Sequence, residues 1–115
     1  MYISVTGLKL HSRWQMPGFM VHAVRSMTEA QRADGNLFAD ARTVNSVHHT
    51  LTAWQDRAAM VAYLGQPHHR AAMRAFPTLG HGRTLGYEAE ELPSWKEALA
   101  LWREHAREAR RPARA

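Results

Sequence analysis

Eight histidines and no cysteine bound the chemistry open to this 115-residue chain. Disulfides, thiolate metal sites and a thiol nucleophile are excluded, so a metal site would have to use imidazole and carboxylate. The most suggestive stretch is "GQPHHRAAM" at residues 65–73, with His68 and His69 adjacent. Gly65 interrupts one helical run, and Pro67 suits the first turn of the next. In that second helix His69 shares an apolar row with Ala72, Met73 and Phe76, at i+3, i+4 and i+7. His68 lies about 100° further round, toward solvent. The two rings therefore diverge. Chelation from one helix uses an i, i+4 pair, and this helix has none. An inward His69 has two readings. It is a general acid/base in a pocket, or it hydrogen-bonds a backbone group and holds the helix break together.

The other histidines divide by element. His48 and His49 are successive in a β-rich run, so they face opposite sides. Leu51 and Ala53 go with His49; Thr50, Thr52 and Trp54 go with His48. Which of these sides meets the helices stays open. His22 begins a helical row with Ser26 and Glu29, read either as a hydrogen-bonded edge or as a proton carrier facing a pocket. His81, in "GHGRTLG", reads as part of a loop that can act as a lid. His11 and His105 read as surface residues. Trp54, Met60, Tyr63, Met73, Phe76 and Arg42 are the candidate walls of a substrate pocket. The methionines suit a deformable apolar cavity as well as they suit a core.

The elements that would position these groups follow from periodicity. "YISVTGLKL" alternates with apolar residues on both faces, as a strand covered on both sides would. Met20, Ala23, Val24, Met27, Ala30 and Gln31 repeat at helical spacing, giving a helix over about 16–33, with Gly35 ending it. "NLFADARTV" and "VHHTLTAW" flank the turn residues Asn45 and Ser46, which makes a hairpin. Asp56 is placed to cap a short helix. A second helical piece runs from Pro67 to just before Pro77, and a fourth strand lies near 83–90. Ser94 and Glu97 fit a capping box at the start of the last helix. The order is βαββαβ plus a C-terminal helix, an α+β, ferredoxin-like plan. The chain divides into a single domain over 1–115: a body at 1–90, a C-terminal helix at 91–111 and a basic tail at 112–115. Two helices over four strands leave one sheet face bare, and a second copy of the chain would cover it.

Composition is ordinary for a globular protein, with 45% hydrophobic and 22% charged residues. There is no apolar run long enough to span a membrane and no apolar leader stretch, so the expected location is cytoplasmic. The formal charge is +5. Its basic tail reads as a solvated helix end, and no nucleic-acid motif accompanies it.

"LTAWQDRAAMVAYLGQPHHRAAM" resembles a segment that recurs in the antibiotic biosynthesis monooxygenase (ABM) superfamily: a strand ending in an aromatic, a short helix, and a turn with a histidine opening a second helix. "MYISVTGL" and "FMVHAVRSMTEAQRADGNL" resemble a subgroup of small uncharacterised proteins near spheroidene monooxygenase. The resemblance covers most of residues 1–90. It implies a dimeric α+β barrel with two sheets face to face and a small-molecule pocket between sheet and helices in each subunit. Chemistry varies across the superfamily, so the fold does not fix the reaction. Haem-degrading members use an Asn on the first strand, a Trp in the second helix and a proximal His. Those positions fall here on Gly7, Tyr63 and Met73, which all depart from the pattern.

The resulting expectation is a monooxygenase for an apolar or aromatic substrate, by one of two routes. Without a cofactor, His69, His49 or His22 would be the base, and Arg42, Trp54 or Tyr63 would stabilise charge. With haem, His69 would be the axial ligand; no other metal ligand is expected. The alternatives are a cyclase, isomerase or dehydratase using the same base, and a dimeric ligand-binding protein with no catalysis.

Overall fold

The computed structural model describes residues 1–108. Strand β1 spans Tyr2–Leu10, and a short 3₁₀ turn at Arg13–Gln15 leads into helix α1, Met16–Arg32, with Pro17 in its first turn. β2 (Asn36–Val44) and β3 (Val47–Trp54) form the expected hairpin. Asn45 and Ser46 both have positive φ, 50° and 66°. That is the two-residue loop whose twist matches the flanking strands. Gly35 has φ 82°, and a Cβ there would lie 2.6 Å from that of Ala59, so glycine is required for two reasons.

Helix α2 (Arg57–Leu64) is capped by Asp56, whose carboxylate accepts the Ala59 N–H at 2.8 Å. α3 (Pro67–Leu79), β4 (Gly80–Glu88), α4 (Trp95–His105) and the two-residue β5 (Arg107–Glu108) complete the order. Ser94 accepts the Glu97 N–H at 3.1 Å, while its own hydroxyl donates to the Glu97 carboxylate at 3.0 Å. The Glu97 carboxylate therefore meets the Ser94 hydroxyl, where a full capping box would have it meet the Ser94 N–H. The strands are antiparallel in the order β2-β3-β1-β4-β5, which is the ferredoxin-like arrangement.

Three segments differ from their sequence expectation. α3 runs through Pro77 to Leu79; a proline so near a helix end removes a hydrogen bond without breaking a following turn. His81 is not on a lid. Pairing with β1 begins at Gly80, so His81 sits opposite Lys9 in the ladder. The last helix is shorter than 91–111, because the backbone turns extended at Ala106 and Arg107–Glu108 pair with Thr84–Arg83. The tail at 112–115 lies outside the described residues.

Strand alternation sorts the sheet into two faces. Ile3, Val5, Leu51 and Ala53 form a core with Ala98 and Trp102 of α4. On the opposite face Leu8, Phe19 and Leu79 form a second cluster, and Ala30, Trp54 and Tyr63 a third. Helices α1, α2 and α3 thus cover one face and α4 the other. The face expected to await a second copy is covered by the chain's own C-terminal helix. Trp102 anchors it: its indole N–H donates to the Arg83 carbonyl at 2.9 Å, and its ring meets His49 edge-on at 4.7 Å. No described helix is long and apolar enough to cross a membrane.

Candidate functional site

His69 enters the molecule as its row predicts. It is the third residue of α3, half-buried, while His68 is exposed. Its imidazole meets Tyr63 edge-on at 4.7 Å, and Tyr63 stacks on Trp54 at 5.0 Å. The Tyr63 hydroxyl donates to the Ser26 carbonyl at 3.0 Å and lies 2.7 Å from the Ser26 hydroxyl. Trp54 donates its indole N–H to Thr52 at 2.9 Å. The Tyr63 and Trp54 polar groups are satisfied, but His69 Nδ1 is buried without a hydrogen-bond partner. Burial pushes the His69 pKa down, against the opposing pull of the Leu64 carbonyl and the Glu29 carboxylate. The ring is therefore neutral at pH 7 and able to accept a proton. Burial likewise raises the Tyr63 phenol to about 12, so it stays a donor.

Glu29 fixes the backbone beneath this imidazole. Gln66, at the cap position, offers α3 no side-chain cap. The Glu29 carboxylate of α1 substitutes, accepting the His69 N–H at 2.9 Å and the His68 N–H at 3.0 Å. The expected His22–Ser26–Glu29 row is real, but its members bind α2 and α3 rather than one another. His22 itself lies edge-on to Phe76 at 6.4 Å, away from the Tyr63 stack.

Phe76 belongs to a second aromatic group on the same face. Phe19 lies 5.8 Å from Phe76 and 4.6 Å from His48, and His48 Nδ1 is 2.8 Å from the Thr43 hydroxyl. Burial lowers the His48 pKa. Along β3, His48 and Trp54 are the two ends of one face, with Thr50 and Thr52 between them. On β1 the residues opposite these threonines are Thr6 and Ser4. Thr6 and Thr50 hydrogen-bond to each other, and Thr52 donates to the Ser4 carbonyl at 3.5 Å. Under the helices there is thus a floor of hydroxyls between two aromatic ends. Met73 lies one helical turn beyond His69 on α3, and Met60 packs on the Trp54–Tyr63 cluster.

Two expected site residues are elsewhere. His49 faces α4; it is 4% exposed, with Nδ1 3.1 Å from the Thr6 carbonyl. Arg42 is on that same face, over the Trp95 ring at 5.2 Å. The sheet lies between both and His69. None of the expected wall residues lines the groove on the outer side of α1. That groove, about 390 Å³, is lined by Val24, Arg25, Glu29, Arg32, Gln66 and His68. In this conformation His69 Nδ1 holds no open position for a haem iron, being buried beside the Tyr63 ring. No group of three or more His, Asp or Glu among the described residues is placed to hold a metal ion.

No family model and no curated protein matches the chain. Solved structures do. The chain overlays a Deinococcus radiodurans protein provisionally named as an antibiotic biosynthesis monooxygenase, with TM-score 0.72 and 20% identity, covering 82% of this chain and 97% of that one. The chain has the ABM fold. SnoaB of Streptomyces nogalater, described as a cofactor-independent oxygenase, matches with TM-score 0.66 and 18% identity over 81% of this chain and 97% of SnoaB. Rv0793 of Mycobacterium tuberculosis matches with TM-score 0.71 and 12% identity over 82% of this chain and all of that one.

Within the ABM fold, Gly7 explains one departure from the haem-degrading pattern. It faces α4, and a Cβ there would come within 2.3 Å of the Trp102 ring. An asparagine has no room. Phe19 is missing from the residue-level expectation, which leaves His48, with Thr50 and Thr52, open between the two faces. The signal for the hydroxyl floor was the alternation of "SVTGL" against "HTLTAW", which puts hydroxyls together on one side once the two strands are paired in register.

Proposed function

We propose that this chain is a cofactor-independent monooxygenase for an electron-rich aromatic or enolic small molecule, bound on the helix-covered face between the Trp54–Tyr63–His69 stack and the Phe19–His48–Phe76 group. The observation that carries this reading is the unpartnered, buried Nδ1 of His69. Buried polar atoms without partners are uncommon and call for a reason. The kinship in fold with an oxygenase described as cofactor-independent supports the reaction class.

In this mechanism His69 takes the phenolic or enolic proton. The resulting anion, stabilised by hydroxyl donors of the floor, delivers electrons from a ring carbon to O₂ and forms a C–O bond. The peroxide anion takes back the proton from His69. The hydroperoxide then loses water together with the hydrogen on that carbon, leaving a carbonyl. One oxygen atom enters the product and the other leaves as water, so no external reductant is needed. Substrate reaches Nδ1 by displacing side chains at the α2–α3 junction, where Gly65 and Gln66 separate the helices.

The test is oxygen uptake by the purified protein, without added cofactor, on a panel of polycyclic hydroquinones and phenols, with ¹⁸O₂ tracing one atom into product. His69→Ala should lower kcat by about 10²–10³-fold. His105→Ala, at an exposed position, should leave it unchanged. Turnover of the panel without O₂ consumption, or full activity in His69→Ala, overturns the proposal.

A further inference from the structure

Helix α1 is apolar on two sides. Its inner row, with Phe19 and Ala30, packs into the clusters between helices and sheet. On its outer side Met20, Val21 and Val24 are 46%, 48% and 56% exposed. At 100° per residue, Pro17, Val21, Val24, Arg25, Thr28 and Arg32 fall within an arc of about 100°. This stripe changes character along its length. Its first half is aliphatic; its second half carries Arg25 and Arg32 beside the groove. The 3₁₀ turn that runs into α1 adds Trp14, which is 80% exposed, with the Arg13 guanidinium 5.3 Å over its ring. A bare tryptophan next to three exposed aliphatic side chains marks an interaction surface.

The surrounding charge has one sign. Arg13, Arg25 and Arg32, with Arg57, Arg70 and Arg74 of α2 and α3, are exposed, and none is in an ion pair among the described residues. The acids of these helices are engaged: Glu29 holds backbone N–H groups of α3, and Asp56 holds one of α2. Asp34 lies in the turn after α1. The exposed Glu88, Glu90, Glu91, Glu97 and Glu104 belong to the end of β4, the loop after it and α4. The molecule is therefore basic on its α1 side and acidic on its α4 side. We infer that the outer face of α1 docks on an anionic lipid bilayer. Trp14, Met20, Val21 and Val24 enter the headgroup region, and Arg25 and Arg32 meet lipid phosphates. A helix that lies in an interface has this make-up, with tryptophan and aliphatic residues toward lipid and cations to pair with its headgroups. The arginine stems add apolar contact while their guanidinium heads reach phosphate. A second copy laid on this stripe sets arginine against arginine, or against the partner's apolar half, and supplies no anion either way. A nucleic acid meets the arginines but gives Met20, Val21 and Val24 nothing to bury against. The docking does not depend on the proposed reaction.

Co-sedimentation with vesicles tests this. Wild-type protein should bind vesicles of equimolar phosphatidylcholine and phosphatidylglycerol, bind vesicles of phosphatidylcholine alone at least about tenfold less, and be released by salt. R25E/R32E should weaken binding to the anionic vesicles about tenfold or more. K96E/R103E reverses two exposed charges on α4 and should leave binding close to wild type. Lipids brominated in their acyl chains should quench the fluorescence of bound wild type through Trp14, since Trp54 and Trp102 are buried. In Trp14→Phe that quenching should be lost. All five positions are exposed, so unchanged melting temperatures should confirm that the variants are folded. A wild type that stays in the supernatant with anionic vesicles overturns the inference. So does equal loss of binding in the two charge-reversal variants, which makes net charge the cause, or quenching that persists in Trp14→Phe. Tighter binding to duplex DNA than to vesicles, or self-association that Trp14→Phe abolishes, assigns the face to another partner and overturns it as well.

Discussion

At the scale of single residues, three histidines are held below their usual pKa of 6.5, in each case chiefly by burial. The sign of the consequence is fixed. Between 6.5 and their lowered folded values, the unfolded chain binds protons at His48, His49 and His69 that the folded chain refuses. Stability is then complete above pH 6.5 and falls as pH drops below it. For His49 the Thr6 carbonyl opposes the shift, while the charges of Arg103 and His48 reinforce it. The expected outcome is a melting temperature that declines on acidification from pH 7.5 to 5, with a shallower decline in His69→Gln. Thermal melts by circular dichroism at both pH values measure it. Equal slopes for the two proteins would remove His69 from the account. The row reading of "GQPHHRAAM" separated His69 from His68 correctly, because helical geometry alone sets the angle between neighbours. It could not show that Nδ1 lacks a partner, since that depends on how α3 packs against α1, far away in sequence.

At the scale of elements, the junction of α2 and α3 depends on a carboxylate from α1. Glu29 stands in for the cap that Gln66 does not provide. Glu29→Ala leaves two N–H groups at the start of α3 without their acceptor and should cost about 1–2 kcal/mol. Glu29→Gln keeps one carbonyl acceptor and should cost less. Urea denaturation gives the ordering; an alanine variant with an unchanged midpoint would show that water caps α3 equally well. Much of the element order was legible because it is written locally: alternation in β1, β2 and β3, the cap at Asp56, the turn at Asn45–Ser46. What was not legible is non-local. Alternation shows that His48 and His49 point apart, but not which side the helices take. Arg42 was placed in the pocket for that reason, and it lies over Trp95 instead. β5 is two residues long and exists only because α4 returns the chain beside β4. His81 looked like a loop residue because its flanking glycines suggest one. Gly80 is needed for another reason: a Cβ there would meet the Lys9 carbonyl oxygen at 2.2 Å.

At the scale of the whole molecule, α4 converts a two-layer fold into three layers and divides the labour between the two faces of the sheet. One face carries hydroxyls and aromatics under α1, α2 and α3. The other carries the aliphatic core of Ile3, Val5, Leu51 and Ala53, closed by Trp102. Stability should therefore depend on the α4 face more than the proposed chemistry does. Trp102 is 8% exposed, lies against Gly7 and His49, and supports Arg83, whose guanidinium sits 4.9 Å over its ring and donates to the Ala106 carbonyl at 3.0 Å. Trp102→Ala opens a large cavity and should cost about 3–5 kcal/mol, a substantial part of the total for a domain of this size. The melting temperature should fall by more than about 10 °C. Trp95 is only half-buried, so Trp95→Ala should cost less despite losing its bond to Asp40. At a temperature where Trp102→Ala remains folded, its oxygen uptake should stay near wild type, because the sheet lies between it and His69. A variant that keeps its melting temperature, or that is folded but loses kcat as His69→Ala does, would show that the two faces are not independent.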